Sequence, residues 1–493
     1  MSFDLETAEH PENLRRVAIE PLSRVEGHGK VTLLLDADNH VRQARLHIVE
    51  FRGFEKFVQG RPYWEIPVMV QRLCGICPVS HHLAACKALD QVVGATRVTP
   101  TADKLRRLMH YGQILQSHAL HFFHLASPDL LFGFDSDLGK RNIVGLIAEY
   151  PDLARQGVLL RKYGQEVIRV TAGKRVHGTG SVPGGVNKNL SREERDALLK
   201  DAYQIIAWSR DAVHLVQRLF EQNLALYNEF GSFRAHSLNL VRADGAMDLY
   251  HGGLRARTAD GKTLFDHVDY NNYWDHIYEE VKPWSYMKFP YFREIGPDEG
   301  WYRVGPLTRV SQCDFIPTPL ADKERQAFLA YDGGRPAAAT LGTHWARMIE
   351  MLHSAEMIKD LLHDDDVLGD DLMVTGERQG RGVGVIEAPR GTLIHHYRVD
   401  DNDQVIRANL IVSTTHNNQA MNEAIRAVAR KHLDGHELTE GLLNHIEVAI
   451  RAFDPCLSCA THAMGKMPLR VELIDVEGRE VDRLTRSGDG TCA

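Results

Sequence analysis

Seven cysteines punctuate the chain, and four of them stand in two Cys-x-x-Cys pairs, Cys74/Cys77 and Cys456/Cys459. Two thiolates three positions apart can reach one metal ion, and two such pairs can complete a four-sulfur shell. In compact zinc modules the pairs lie within a few tens of residues of each other, whereas here most of the 493-residue chain separates them. Spacing alone therefore leaves a structural zinc site, a thiol-disulfide pair and a catalytic or iron-sulfur centre all open, and four soft sulfur ligands by themselves favour zinc or iron-sulfur. A shared site requires a fold that brings the two ends of the chain together. The remaining cysteines, Cys86, Cys313 and Cys492, stand alone. So sparse and odd a set excludes a disulfide framework, and Cys86 and Cys313 read as inert buried thiols.

His110, His118, His121 and His124 share one predicted helix, three of them at three-residue steps. That spacing would suit a metal or proton path, although histidines satisfied in a core or at a surface are its commoner cause. No Gly-x-Gly-x-x-Gly follows a strand and opens a helix; Gly178-Thr-Gly180-Ser-Val-Pro-Gly184 misses the spacing and sits beside proline, so the chain is not expected to bind NAD itself. If its four clustered cysteines serve one catalytic site, no ligands remain for a separate electron-relay cluster.

The net charge of -8 comes from 58 basic and 66 acidic residues spread along the chain, so no basic stripe invites nucleic acid or an anionic membrane. No apolar run approaches the roughly 18 to 20 residues of a membrane-spanning helix. The first residues, MSFDLETAEHPENLRR, are acidic and hold no apolar h-region, which points to a cytoplasmic protein.

The elements that must position the cysteines are legible in outline. Alternation from Val17 to Phe51 predicts two strands around an Asp-Ala-Asp-Asn turn. From Pro100 apolar residues recur at three- and four-residue spacing, the mark of a long core-facing helix. Ser191 and Glu194 form a capping box that opens another, expected to run to about Leu226. Aromatic, Gly and Pro residues enrich the stretch from Phe233 to about Val310, which reads as an α+β insertion. Helical period returns at Thr343–Leu362, strands are predicted from Gly382 to Val412, and NNQAMNEAIRAVARKHL opens two closing helices. No repeat, low-complexity tract or long linker appears. The division this suggests is an N-terminal antiparallel β unit (1–60), a helical core with the first cysteine pair (61–230), an α+β insertion (231–330), C-terminal helices and strands with the second pair (331–462), and a C-terminal extension (463–493).

The flanks of the cysteines carry more than their spacing. Arg72-Leu-Cys74-Gly-Ile-Cys77-Pro-Val-Ser-His81 and Asp454-Pro-Cys456-Leu-Ser-Cys459-Ala-Thr-His462 resemble the two signature motifs of the nickel-iron hydrogenase large subunit. The resemblance continues in Arg24-Val-Glu26-Gly-His28, Arg52-Gly-Phe-Glu55, Val182-Pro-Gly-Gly185, Glu387-Ala-Pro-Arg390-Gly391 and Thr414-Thr-His-Asn417, in the family's order over nearly the whole chain. HIVEFRGFEKFVQG and WSYMKFPYFREIG look most like the NAD-reducing soluble branch. The fold so implied is α+β and predominantly helical, a long-helix core with smaller α+β domains.

That resemblance also implies roles. Cys74 and Cys456 would be terminal nickel ligands, and Cys77 and Cys459 would bridge nickel to an iron carrying carbonyl and cyanide groups. Cleaving dihydrogen heterolytically needs a hydride acceptor and a base held close together. The metals fit the first need and the Cys456 thiolate the second, with Glu26 as proton relay. Arg390 would sit over the open metal position as an electrostatic and positioning group, steadied by Asp454, and His81 would hydrogen-bond a cysteine sulfur. Taken singly, Arg390 would pass for an ion-pair residue and Glu26 for a solvated strand carboxylate. Glu55, His462 and the carbonyl of Leu410 match positions that bind magnesium or a similar ion. Ser117 replaces an aspartate of many respiratory members.

Residues 463–493 correspond to an extension that a dedicated protease removes after nickel insertion, so the chain is expected to be a precursor served by that protease and by nickel-insertion proteins. The implied partners are a diaphorase and an iron-sulfur small subunit, which between them would hold the iron-sulfur clusters, FMN and NAD. Two other readings share the architecture: a hydrogen sensor with the same site, and the quinone-module subunit of respiratory complex I, against which the four cysteines argue.

Overall fold

The computed structural model describes residues 5–463, 469–474 and 479–486. Alternating apolar residues near the start form a three-stranded antiparallel sheet, β1 (Arg15–Ile19), β2 (Gly29–Leu35) and β3 (Val41–Ile48). This is one strand more than the two predicted, because β1 is mostly exposed and carries little alternation. The turn between β2 and β3 is built by Asp36, whose carboxylate accepts from the N–H groups of Asp38 and His40 at 3.0 and 2.9 Å.

The first cysteine pair opens directly into α1 (Pro78–Val92), with proline at the first turn, where its missing N–H costs nothing. Thr99 caps α2 (Pro100–Leu120) by accepting from Ala102 N at 3.1 Å, and a π-helical turn, His121–Ala126, follows. α3 (Pro151–Ala172) ends at Gly173. The capping box of Ser191 and Glu194 starts α4 (Arg192–Gln222), which stops four residues short of the predicted Leu226, where Asn223 leaves helical geometry. α2 and α3 cross at paired glycines. A Cβ on Gly112 would lie 2.8 Å from Val167 Cγ1, and one on Gly164 would lie 2.6 Å from the Gly112 carbonyl.

Between the helices lies an antiparallel sheet of β4 (His236–Val241), β5 (Gly253–Arg257) and β6 (Thr263–Val268), with the short strand Tyr302–Arg303 running parallel to β4. α5 (Gly342–Leu362) packs on both α4 and α2, and most of its residues are buried, Trp345, Arg347 and Glu350 among them. Its sequence correspondingly lacks a continuous polar face.

The C-terminal part supplies a second antiparallel sheet, β7 (Arg381–Ala388), β8 (Gly391–Val399) and β9 (Val405–Ile411), on which α1 packs. α6 (Asn418–Val428) and α7 (Glu440–Ala452) follow. α6 docks on β3, and Asn422 Oδ1 accepts from Leu46 N at 2.9 Å, so the two ends of the chain interlock. Beyond His462 the strands Leu469–Ile474 and Glu480–Arg486 pair as a hairpin, and most of the rest of the predicted extension, Cys492 included, lies outside the described residues.

Candidate metal centre

All four paired cysteines converge. Their sulfur atoms lie within 4.8 Å of one another and are buried, the one such grouping of ligand side chains among the described residues. Cys74 Sγ is 3.0 Å from Cys456 Sγ, and Cys77 Sγ is 3.9 and 4.0 Å from the sulfurs of Cys456 and Cys459. Cys74 Sγ also accepts from the backbone N–H groups of Ile76 and Cys77 at 3.2 Å, donors supplied by the tight turn that leads into α1. Burial raises the cost of charge on Cys74. Hydrogen bonds from Cys456, Cys459 and Cys77, together with Arg390, overcome that cost and hold it well below the usual thiol range. Burial pushes Cys456 and Cys459 well above that range. Burial and the close approach of four sulfurs oppose a full set of thiolates in the metal-free cluster, so a cation that binds all four must displace protons.

The two cysteine segments are tied together by the Arg52-Gly-Phe-Glu55 stretch. Arg52 donates to the carbonyls of Arg72 and Leu73, both at 3.2 Å, while its own N–H reaches Thr461 Oγ1 at 3.1 Å and Gly53 N reaches Thr461 O at 3.2 Å. Thr414 Oγ1 accepts from Cys456 N at 2.9 Å, which gives the Thr414-Thr-His-Asn417 motif a direct hold on the second pair.

Glu26 pairs with Cys456 as an isolated parallel bridge; its carbonyl accepts from Leu457 N at 3.0 Å and its carboxylate from Ser458 N at 3.2 Å. Burial raises its pKa, the Cys74 charge adds to this, and contacts with Cys456 and Ser458 only partly offset it. The approach needs glycine next door. Gly27 has φ +82°, and a Cβ there would sit 2.6 Å from Ser458 N.

Arg390 donates to the backbone carbonyl of Asp454, to Asp454 Oδ1 at 3.0 Å and to Ser117 Oγ at 3.4 Å. Serine at position 117 therefore keeps a hydrogen bond to the guanidinium. Burial pushes Asp454 up to about 6 against the opposing pull of Arg390 and Arg347. A small cavity of about 10 Å³, close to one water, is lined by Cys77, His81, Pro389, Arg390, Ser413 and Cys456 among others. His81 borders it, but its one hydrogen bond runs from Nδ1 to His395 Nε2 at 3.2 Å, not to a cysteine sulfur.

The backbone in front of Arg390 is gripped from below. Arg309, fully buried, donates to Glu350 at 2.7 Å, to Glu387 at 2.7 Å, and to the carbonyls of Ala388 and Pro389 at 3.0 and 3.4 Å. His118 Nε2 completes the Glu350 carboxylate at 2.9 Å. His110 bonds the carbonyls of Leu249 and Glu387, and His121 that of Arg451, so these helical histidines serve separate partners and form no common ligand set. Cys86 and Cys313 are buried apart from the cluster, with burial pushing their thiols up to about 12 and about 11.

Glu55 is buried and accepts from Lys288 Nζ at 3.1 Å and from Leu410 N at 2.9 Å. His462 Nε2 lies 2.9 Å from Cys459 O, and its buried Nδ1 has no hydrogen-bond partner among the described residues. Sequence reasoning missed Arg52 as a clamp, Arg309, Thr414 as a capping acceptor, and His395. The motifs around Arg52 and Thr414 were the available signal; Arg309 and His395 stand in no motif.

Two family models match this architecture: the one described as nickel-dependent hydrogenase covers residues 52–131 and 239–462, and one described as HoxL-like covers 16–51. The chain belongs to the nickel-dependent hydrogenase family. It is 51% identical over 487 residues to the NAD-reducing hydrogenase HoxS subunit beta of Cupriavidus necator, spanning 96% of this chain and 100% of that one. It is 46% identical to a subunit of the F420-non-reducing hydrogenase vhu of Methanocaldococcus jannaschii, covering 84% of this chain and 99% of that one. A crystal structure of an NAD+-reducing NiFe hydrogenase in the H2-reduced state superimposes with a TM-score of 0.90 at 62% identity, covering 91% of this chain and 99% of that one. The NiFeSe hydrogenase of D. vulgaris Hildenborough shares the fold, with a TM-score of 0.74 at 24% identity over 91% and 100% of the two chains. Among the described residues no helix is long and apolar enough to cross a membrane.

Proposed function

We propose that this chain is the catalytic large subunit of an NAD-reducing nickel-iron hydrogenase, in which Cys74 and Cys456 would hold nickel and Cys77 and Cys459 would help hold both nickel and iron. The observation that carries the reading is the convergence of four buried sulfurs from opposite ends of the chain within 4.8 Å. The donor set fits: soft sulfurs able to bind two metals, enclosed, with a small cavity of about one water beside Cys77 and Cys456. Bound there, a nickel-iron pair supplies a Lewis-acidic redox centre that polarises dihydrogen.

The protein's own groups do the rest. Arg390, locked to Asp454, presents fixed positive charge over the sulfurs without changing protonation state. Cys456 is the first base, because it already adjoins Glu26, and Glu26, whose pKa burial raises above that of a free carboxylate, passes the proton outward. Glu55, Leu410 and His462 form the proposed magnesium site. The unpartnered Nδ1 of His462 supports it, and Lys288 stands beside Glu55 as the competing cation. Electrons leave through an iron-sulfur small subunit to a flavin diaphorase, with cleavage after His462 by a maturation protease completing the centre. The residence proposed is the cytoplasm. The test is to purify the native complex and follow reduction of NAD, NADP and a viologen dye under hydrogen. Hydrogen-dependent NAD reduction supports the assignment, whereas dye reduction without NAD reduction refutes its NAD-linked part.

A further inference from the structure

A buried file of three side chains leads away from the cavity beside the sulfurs. His81, His395 and Tyr397 are 1%, 0% and 0% exposed. His81 Nδ1 lies 3.2 Å from His395 Nε2, and His395 Nδ1 lies 2.7 Å from the Tyr397 hydroxyl. No other hydrogen bond involves the Tyr397 hydroxyl among the described residues. His395 and Tyr397 stand two apart on β8 and so share one face of the sheet, the face on which α1, with His81, packs.

We propose that Tyr397, acting through His395, fixes the ring tautomer of His81 so that an N–H, and not a lone pair, is left to face the sulfur-lined cavity. A buried hydroxyl with a single neighbour must donate to it or strand its proton, so Tyr397 O–H donates to His395 Nδ1. A neutral His395 then carries its proton on Nε2 and donates it to His81 Nδ1. A neutral His81 in turn carries its proton on Nε2, the free end of the ring. His395 is fully buried and its two ring nitrogens are taken up by Tyr397 and His81, with no carboxylate between them, so nothing in the file calls for a charged ring.

Reversing the file would strand the Tyr397 proton at one end and turn a lone pair toward electron-rich sulfur at the other. Both ends thus select the same direction, and the stranded hydroxyl alone is worth a preference of about 5- to 150-fold. His395 and Tyr397 are on this view positioning residues. They govern which hydrogen bond His81 can offer to the sulfurs or to a diatomic ligand beside them, in the manner of outer partners that orient metal ligands.

The functional consequence rests on the nickel-iron reading above, but the tautomer does not. Long-range nitrogen-proton correlation on the full chain, labelled in the histidine rings, should show His81 and His395 each as a single neutral species protonated at Nε2, with His81 assigned through H81Q. Y397F, which keeps the ring and removes only the hydroxyl, should introduce a second tautomer at His395 and His81. In metal-loaded protein it should shift the infrared bands of iron-bound diatomics at unchanged metal content. A wild-type His81 protonated at Nδ1, or a Y397F protein with both rings unchanged, overturns the proposal. Failure of the nickel-iron reading would look different: no nickel bound, whichever tautomer His81 adopts.

Discussion

Replacing Arg309 with methionine keeps an unbranched apolar stem but removes the guanidinium and its charge from a group that is fully buried between Glu350 and Glu387. Breaking a buried ion pair from one side costs ~3–5 kcal/mol, because the abandoned carboxylates cannot reach water. Unfolding entropy of ~2.1 cal/mol/K per residue makes ~1 kcal/mol per degree for a chain of 493 residues, so the melting temperature should fall by about 3–5 °C. The loss has a pH signature. In the wild type, Glu350 overcomes its burial through Arg309 and His118 and is held at about 2, below its ordinary 4.5. That stability is fully present above about pH 4.5 and fades as pH falls toward about 2. In R309M Glu350 loses that hold and Glu387, which burial already raises in the wild type, is raised further, so the deficit builds as pH rises from about 2 and goes on growing above about pH 4.5; it should be smaller at about pH 5.5 than at about pH 8. Because Arg309 also holds the carbonyls of Ala388 and Pro389, Arg390 should shift and hydrogen-dependent dye reduction should drop about 100-fold. Thermal melts at two pH values, with E350Q/E387Q added to R309M as a rescue, provide the assay. An R309M protein that melts like wild type, or whose deficit is the same at both pH values, would refute the reasoning.

Substituting Glu26 with glutamine should leave nickel content intact and cut turnover by about 10²–10⁴-fold, since the amide keeps the hydrogen bond from Ser458 N but cannot carry a proton; normal turnover in E26Q would remove Glu26 from the proton route. Gly27→Ala should lower nickel content as well as activity, because its Cβ would press to 2.6 Å from Ser458 N at a φ of +82° that alanine resists. Metal analysis of that variant showing full nickel would mean the segment around Gly27 can yield. C456S should lose nickel, whereas C86A, which lies outside the four-cysteine cluster, should retain it at a stability cost of about 1 kcal/mol; elemental analysis of both proteins separates ligand from bystander.

How far the sequence could be read followed the range of the interactions. The capping box at Ser191, the Thr99 start of α2 and the Asp36 turn are local, and each behaves as its residues predict. β1 escaped notice because a mostly exposed strand has no apolar alternation to display, and α4 ended early at Asn223 where no proline or glycine announces a stop. The cysteine pairs were visible through their flanks, although spacing alone could not choose among metals. Arg309, His395 and Tyr397 were not visible at all. Their partners lie at Glu350, Glu387 and His81, and contacts between separate elements carry no period that a single sequence can show.

The four sulfurs are divided between residues near the start of the chain and residues near its end, with almost the whole fold threaded between them. A ribosome that has released the first pair holds two ligands and no site, and a chain that stops before Cys459 can never close the shell. Drawing the two pairs together is the closure of one very long loop, whose entropic penalty grows only slowly with length once the intervening helices are packed. Tight capture of metal therefore reports that synthesis passed Cys459 and that the body folded correctly, so a copy cut short before that point or misfolded is left unable to hold nickel firmly and is marked as defective by that fact alone.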